Sequence, residues 1–529
     1  MPLRPHLEKY FPFSGIRPSI FGWEMIDKDA LHEKHGHVFV LCTPDYNELW
    51  SADPEINHIV LSRRRDFPQN IMSIDIMKAF GANVLASDGD DWARQRRVVV
   101  PNLNERIMKG VWDETVVQTN GLVDYMLGQP NGESDRNVDS VHCVAKNVLG
   151  RVGYGEGRPF APHSLPREPD APMTYVDAVG LCGELIIVSA KVSSKLLRPT
   201  FMPKVLQTLG KAMDMLPELC GRMIEERRRA GYREGGRENF LSMLVRLSDE
   251  GKMAGEKDKG NGGGGSRLYL TEDEIVGNMF VFTSAGFDTT ANTLGFAIAF
   301  LAAFPEWQTW MQEEIDHVFD QAGESRDYAS LFTKLPRCLA VMVCTRLSVL
   351  TLVQNRIANL KQYEMLRLVP PIAKVSRNLP EPGLTITTSK GKSHFLKGPM
   401  LIYLNGPAMN YRKSIWGEDV HDFRLRRWTV EDEFTGKLSQ ERHIEPEKGS
   451  FISWSGGPRI CPGMKMSQVE FVTCMATLFS RVNVEPVVKS GETMEEARER
   501  IYEVAKDVQQ RITVQMARPE DLVLRWVKR

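Results

Sequence analysis

The stretch FISWSGGPRICPGMK, Phe451 to Lys465, gathers three glycines, two prolines, a tryptophan and an arginine around a single thiol, Cys461. A free cysteine is ordinarily a small buried hydrophobe within helix or strand and needs no such turn chemistry. The pattern implies that something approaches this sulfur closely. A second constellation, AGFDTT, sets Gly286, Asp288, Thr289 and Thr290 inside an otherwise apolar run. A mid-helix glycine costs about 1 kcal/mol relative to alanine, and an unpaired buried carboxylate costs more. Such departures together suggest a bend that opens a groove over a bound ligand, lined by an acid and an alcohol. The alternative is a plain kink relieved by Thr289 bonding back to the Ala285 carbonyl. Two weaker pairs accompany these. Trp92 and Arg96 stand four apart on one helix face and offer an indole N–H and a guanidinium to a carboxylate, a description that equally fits a solvated face. Glu364 and Arg367, in YEMLRLVPP, have the spacing of an ordinary i,i+3 ion pair.

These residues need elements to hold them. HVFVLCTPDYNELWSADPEINHIVLSRR reads as two short strands, turned at Pro44 and Asn47, followed by a helix. Helical periodicity then dominates from about Trp92 to Phe319. Within it, Gly251 to Arg267 (GKMAGEKDKGNGGGGSR) is expected to be a flexible loop between helices. Thr271 and Glu274 form a capping-box pair that opens a helix apolar on nearly every side, as suits the middle of a large globule. Short strands are expected from about Pro370 to Arg427. An amphipathic helix, MKMSQVEFVTCMATLFSRV, follows the cysteine loop. The outline is a mostly α (α+β) single domain over residues 1–529 with small sheets.

The 529 residues carry 67 basic against 68 acidic side chains and are 42% hydrophobic. A chain so nearly neutral lacks the basic excess that a nucleic-acid partner demands. Its eight cysteines never fall as CxxC and have neither zinc-site nor disulfide-framework spacing, which implies a reducing compartment. MPLRPHLEKYFPF lacks the apolar core of a secretory signal, and no run reaches the roughly 18 apolar residues of a spanning helix.

Taken in order, WxxxR, AGxDTT, ExxR, FRLRRW and WSGGPRICPG resemble the cytochrome P-450 family over about residues 35–525, in the form found in eukaryotic, fungal-type secondary metabolism. The last motif fills every fixed place of that family's haem signature: Trp454, Gly457, Arg459, Cys461 and Gly463. The resemblance implies haem b, with Cys461 as the axial thiolate. It implies small residues at 456, 457 and 463 so that the macrocycle lies against backbone, and Trp92, Arg96, Arg377, Trp454 and Arg459 around it, the arginines meeting propionates. It implies catalytic roles for Asp288 and Thr289 in moving protons, and a structural network of Glu364, Arg367 and Arg427. Leu425 stands where the family has a proline, a departure expected to cost modest stability.

The activity so implied is that of a monooxygenase. It takes O2 and electrons from NADPH through a diflavin NADPH-cytochrome P-450 reductase, since no GxGxxG fingerprint supplies a cofactor site in this chain. The substrate is a lipophilic small molecule, lined by Ile74 to Phe80, Phe282, Ala285, Ile372 and Ala373. A monomer at the cytoplasmic face of the endoplasmic reticulum membrane is expected. Such members usually begin with an anchoring helix, and this sequence starts after it, as an N-terminally truncated chain or a soluble variant would. Haem-thiolate isomerases or dehydratases, which commonly lack the acid–alcohol pair, and a non-catalytic haem-binding protein are the rival readings. Finally, Val343 to Gln362 interrupts what the family writes as one helix. Every Val codon begins with GT and Gln362 can be read from CAG, so the segment has the ends of a retained intron, and excising it restores the apolar period Leu339, Met342, Leu366.

Overall fold

In the computed structural model, which describes residues 21–529 except 44–45, 163–167, 169, 171, 232–238, 261–268, 324–326, 343–363, 426–428, 431–441 and 444–446, the early strand–strand–helix pattern is present. Strands β1 (Val38–Cys42) and β2 (Asn47–Ser51) pair antiparallel with Val38 opposite Ser51. Helix α1 (Pro54–Ser62) follows, capped by the Asp53 carboxylate, which accepts from the Ile56 amide at 3.0 Å. Two distant strands complete this sheet, β3 (Lys374–Leu379) and β4 (Met400–Asn405), in the order β1-β2-β4-β3. The β2–β4 pairing is parallel and β3–β4 antiparallel.

The helices build the bulk. Those of ten or more residues up to residue 322 are, in chain order, α2 (Gly89–Val99), α3 (Glu105–Leu127), α4 (Asn137–Leu149), α5 (Tyr175–Glu184), α6 (Lys204–Ala230), α7 (Phe240–Gly260), α8 (Glu272–Ala303) and α9 (Pro305–Ala322). A π-helical turn, Gly150–Tyr154, extends α4. Helix α7 corrects one expectation: it runs through Gly260, so the first residues of the supposed loop 251–267 are helical. Lys252, Met253, Ala254, Glu256 and Lys257 are all good helix formers, and their propensity outweighs the isolated glycines. The remainder of that segment lies outside the described residues.

Helix α8 opens on the expected capping box. The Thr271 hydroxyl accepts from the Glu274 amide at 3.2 Å, and the Glu274 carboxylate accepts from the Thr271 amide at 2.9 Å. From Thr290 onward every residue of α8 is buried, against α4 on one side and α13 (Met494–Lys506) on another. Short helices α10 (Pro336–Met342) and α11 (Glu364–Leu368) are buried and touch each other, on either side of residues 343–363, which are not described. Helix α12 (Met464–Phe479) packs along α3. A terminal hairpin of β5 (Val508–Gln510) and β6 (Val514–Met516) brings Thr513 back to α8. Among the described residues no single helix is long and apolar enough to cross a membrane; α8 and α9 pass that test only together, across a bend of 109°.

Candidate functional site

The cysteine loop is closed at its base by the Cys461 amide donating to the Trp454 carbonyl at 3.0 Å. Ser455 turns the chain in the left-handed region, φ 62°, and Gly457 follows at φ 60°. A Cβ at Gly457 would sit 2.3 Å from the Leu61 carbonyl oxygen at the end of α1. The glycine is therefore demanded by the backbone of α1 as well as by its own dihedral, a different reason from the expected room for a macrocycle. Gly463 has an ordinary φ of −82° and caps α12, and a Cβ there would lie 3.8 Å from the Cys461 sulfur. Trp454, half-buried, packs against the main core. Burial pushes the Cys461 thiol up, while the amides of Gly463 and Met464 and the Arg96 guanidinium pull it back toward the thiolate.

Beside the sulfur lies a concentration of positive charge. Arg96, on α2, donates to the Ile460 carbonyl at 3.0 Å. The Trp92 indole is buried under three guanidinium groups, with Arg64 at 4.6 Å, Arg459 at 4.7 Å and Arg96 at 5.6 Å from its ring. Arg377, on β3, donates to Gln69 at 2.9 Å, and burial together with Arg459 pushes its guanidinium down to about 10. The carboxylate of Asp88, the N-cap of α2, answers this group. It accepts from Arg459 at 2.6 Å and from the Gly89 and Gln69 amides. Although burial opposes ionisation, those donors hold Asp88 below the usual carboxylate range.

Of these four arginines, Asp88 bonds Arg459 and draws on Arg377. The Arg459 side chain is 3% exposed, and its Nε has no hydrogen-bond partner. An unpartnered buried guanidinium N–H amid surplus positive charge is what one or two further carboxylates would satisfy. The residues present therefore fit a haem, for which Arg96, Arg377 and Arg459 would hold the propionates and Cys461 would supply the ligand to iron. Among the described residues no cluster of three or more His, Cys, Asp or Glu side chains offers another metal site.

On α8 the expected alcohol and acid are adjacent but engaged differently. The helix is continuous through Gly286, and the Thr289 hydroxyl bonds back to the Ala285 carbonyl at 2.9 Å. A methyl at Gly286 would meet Leu149 no closer than 3.4 Å, so packing of α4 does not require the glycine. Asp288 accepts from the Thr513 hydroxyl and faces the His142 imidazole at 3.9 Å.

Glu364 and Arg367 form a fully buried two-point pair, at 2.8 and 2.9 Å. Arg367 also donates to the carbonyls of Asn410, Val420 and Asp422, and Glu364 accepts from the Arg424 amide. Arg427 lies outside the described residues. Leu425, at the proline position, is fully buried in the core. Of the expected substrate-lining positions, Phe80 is stacked on Phe280 at 3.8 Å and Phe282 packs on Phe240 at 4.9 Å. Ala285 and Ile372 are exposed and Ala373 is buried.

Several partners were not legible beforehand. Asp88 carries the acidic N-cap signature ahead of α2, but nothing local ties it to Arg459. The two-point contact of Arg94 with Glu274, which fastens α2 to the start of α8, joins residues 180 apart. His142 and Thr513 carry no local signal at all.

Comparison with known proteins agrees with this geometry. The chain is 29% identical over 525 residues to a Leptosphaeria maculans protein described as a phomenoic acid biosynthesis cluster cytochrome P450 monooxygenase, covering 90% of this chain and 82% of that one. It is 24% identical to a cytochrome P450 monooxygenase of Arthrobotrys oligospora, covering 92% of this chain and 82% of its relative. Its fold matches a crystal structure of a cytochrome P450 with a TM-score of 0.66 at 16% identity, over 96% of this chain and 99% of that one. The profile of the cytochrome P450 family spans residues 5–508, and with the thiol loop and its arginines in place, the chain belongs to that family and is a cytochrome P450 monooxygenase.

Proposed function

We propose that this enzyme oxidises a lipophilic small molecule of fungal-type secondary metabolism, with haem b held by Cys461 and electrons from NADPH delivered by a diflavin reductase at the cytoplasmic face of the endoplasmic reticulum. The observation that carries the reading is the clustering of Arg96 beside the Cys461 thiol with Arg64, Arg96 and Arg459 around Trp92, Arg459 keeping a buried Nε without a partner although it bonds Asp88. When bound, a thiolate-ligated haem supplies the activation of O2 for insertion of one oxygen atom into substrate.

The chain's own residues do the rest. Arg96, Arg377 and Arg459 bind and orient carboxylates. The first amides of α12 and the positive end of that helix favour a deprotonated sulfur at Cys461. Asp288 holds a proton at its carboxylate, and Thr289, released from Ala285, offers a hydroxyl to pass it on. The fungal relatives, with one in a phomenoic acid cluster, support a secondary-metabolic substrate.

The test is spectroscopic. Reduced, carbon monoxide-treated protein should show the red-displaced absorption of thiolate coordination, and Cys461→Ala should lose it. Its absence from the parent protein, or its survival in the variant, would end the reading. A screen of lipophilic compounds for displacement of the distal water, read in the haem spectrum, then selects the substrate class.

A further inference from the structure

Behind Asp288, four polar side chains from three elements close into a ring. The Thr513 hydroxyl donates to Asp288 Oδ2. Asn292, one turn further along α8, donates through Nδ2 to Thr513 Oγ1 at 3.2 Å, so its Oδ1 is left to accept. That oxygen lies 3.2 Å from Nε2 of His142, on α4. The other imidazole nitrogen, Nδ1, stands 3.9 Å from Asp288 Oδ1. Reading donors around the ring fixes the imidazole: Nε2 carries a hydrogen toward Asn292, and Nδ1 is the nitrogen that gains or loses a proton opposite the acid. A gap of 3.9 Å is one small side-chain movement from a hydrogen bond.

We propose that His142 reloads Asp288 with protons, acting through that carboxylate. The imidazolium Nδ1–H bond breaks and an O–H bond forms on Asp288 Oδ1, so a cation and an anion become two neutral groups. After Asp288 gives up its proton, the imidazole takes another from solvent. The inference rests on the proton-handling role given to Asp288 above.

The charged groups that face His142 suit this exchange. Burial pushes the imidazole down and Lys146 adds to that, while Asp288 and, on its own helix, Asp139 pull it up. Lys146, four residues along the same face of α4, is itself buried, with its ammonium lowered chiefly by that burial. It lines a small surface cavity with Asn147, Glu156, Arg158 and Asp177, and the His142 side chain is itself 19% exposed, which gives the path an end at solvent. Phe287 closes the side of the path, 6.4 Å edge-on from the imidazole and 5.6 Å beneath the Lys146 ammonium.

Imidazole resonances of the [15N]histidine-labelled, reduced, carbon monoxide-bound holoenzyme test this without turnover, with His142 assigned by its loss in His142→Gln. The neutral ring should be protonated at Nε2, and in Asp288→Asn it should titrate about one pH unit lower, because a facing carboxylate shifts a partner by at least that much. A neutral ring protonated at Nδ1, or a titration unmoved by Asp288→Asn, would overturn the proposal. With reductase and a ligand chosen by the spectral screen, the share of NADPH electrons lost as peroxide should rise in Asp288→Asn and in His142→Gln. A rise in Asp288→Asn alone overturns the relay and leaves the monooxygenase reading standing. No rise in either removes the acid's role and the relay with it.

Discussion

Thr289 shows how little a side chain must move to change its task. Its hydroxyl rests on the Ala285 carbonyl, so giving a hydrogen bond to a ligand exchanges one acceptor for another at small net cost. Thr289→Ala should therefore fold normally yet divert reducing equivalents to peroxide, measured as hydrogen peroxide formed per NADPH consumed; unchanged coupling would count against the role. Glu470, on α12, makes a different point. It is 2% exposed, its Oε1 has no partner, and burial raises its carboxyl from 4.5 to about 8. A raised folded-state value means stability is fully present below about 4.5 and lost as pH rises toward 8, with a slope near 1.4 kcal/mol per pH unit in that window. Denaturant titrations from pH 5 to 8 should show this slope, and Glu470→Gln should flatten it. Neither the burial nor the missing partner of Glu470 can be read from MKMSQVEF, because only the packing of α12 on α3 closes over it.

Elements, not single residues, carry the scaffold beneath the site. Helix α11 is five residues long, and its fixed place depends on the Glu364–Arg367 pair with the carbonyls of residues 410, 420 and 422 around it. Removing one partner leaves an uncompensated buried charge, so Arg367→Met should cost about 3–5 kcal/mol and lower the yield of haem-loaded protein. Urea unfolding and the ratio of haem to protein absorbance measure both. Local signals foretold much at this scale: the Thr271–Glu274 capping box, the two early strands and the helix after the cysteine loop all rest on contacts within a few residues. What they could not foretell were ties across the chain. Arg94 finds Glu274, and Thr513 finds Asp288, only once the helices have packed. Helix α7 outran its expected end because several strong helix formers outweighed scattered glycines.

At the scale of the whole molecule, the chain sets residues 343–362 between two buried helices. Helices α10 and α11, on either side of residues 343–363, are buried and in contact. Deleting 343–362 should raise the melting temperature by several degrees and increase haem incorporation, and sequencing the mature transcript across Met342 and Tyr363 checks the cause directly. The architecture also has one shared beam. Helix α2 grips the start of α8 through Arg94 and the cysteine loop through Arg96, so both hang from a single eleven-residue strut. A displacement of the N-terminal end of α8 would therefore pull on the sulfur's surroundings, although the two lie on segments far apart in the chain.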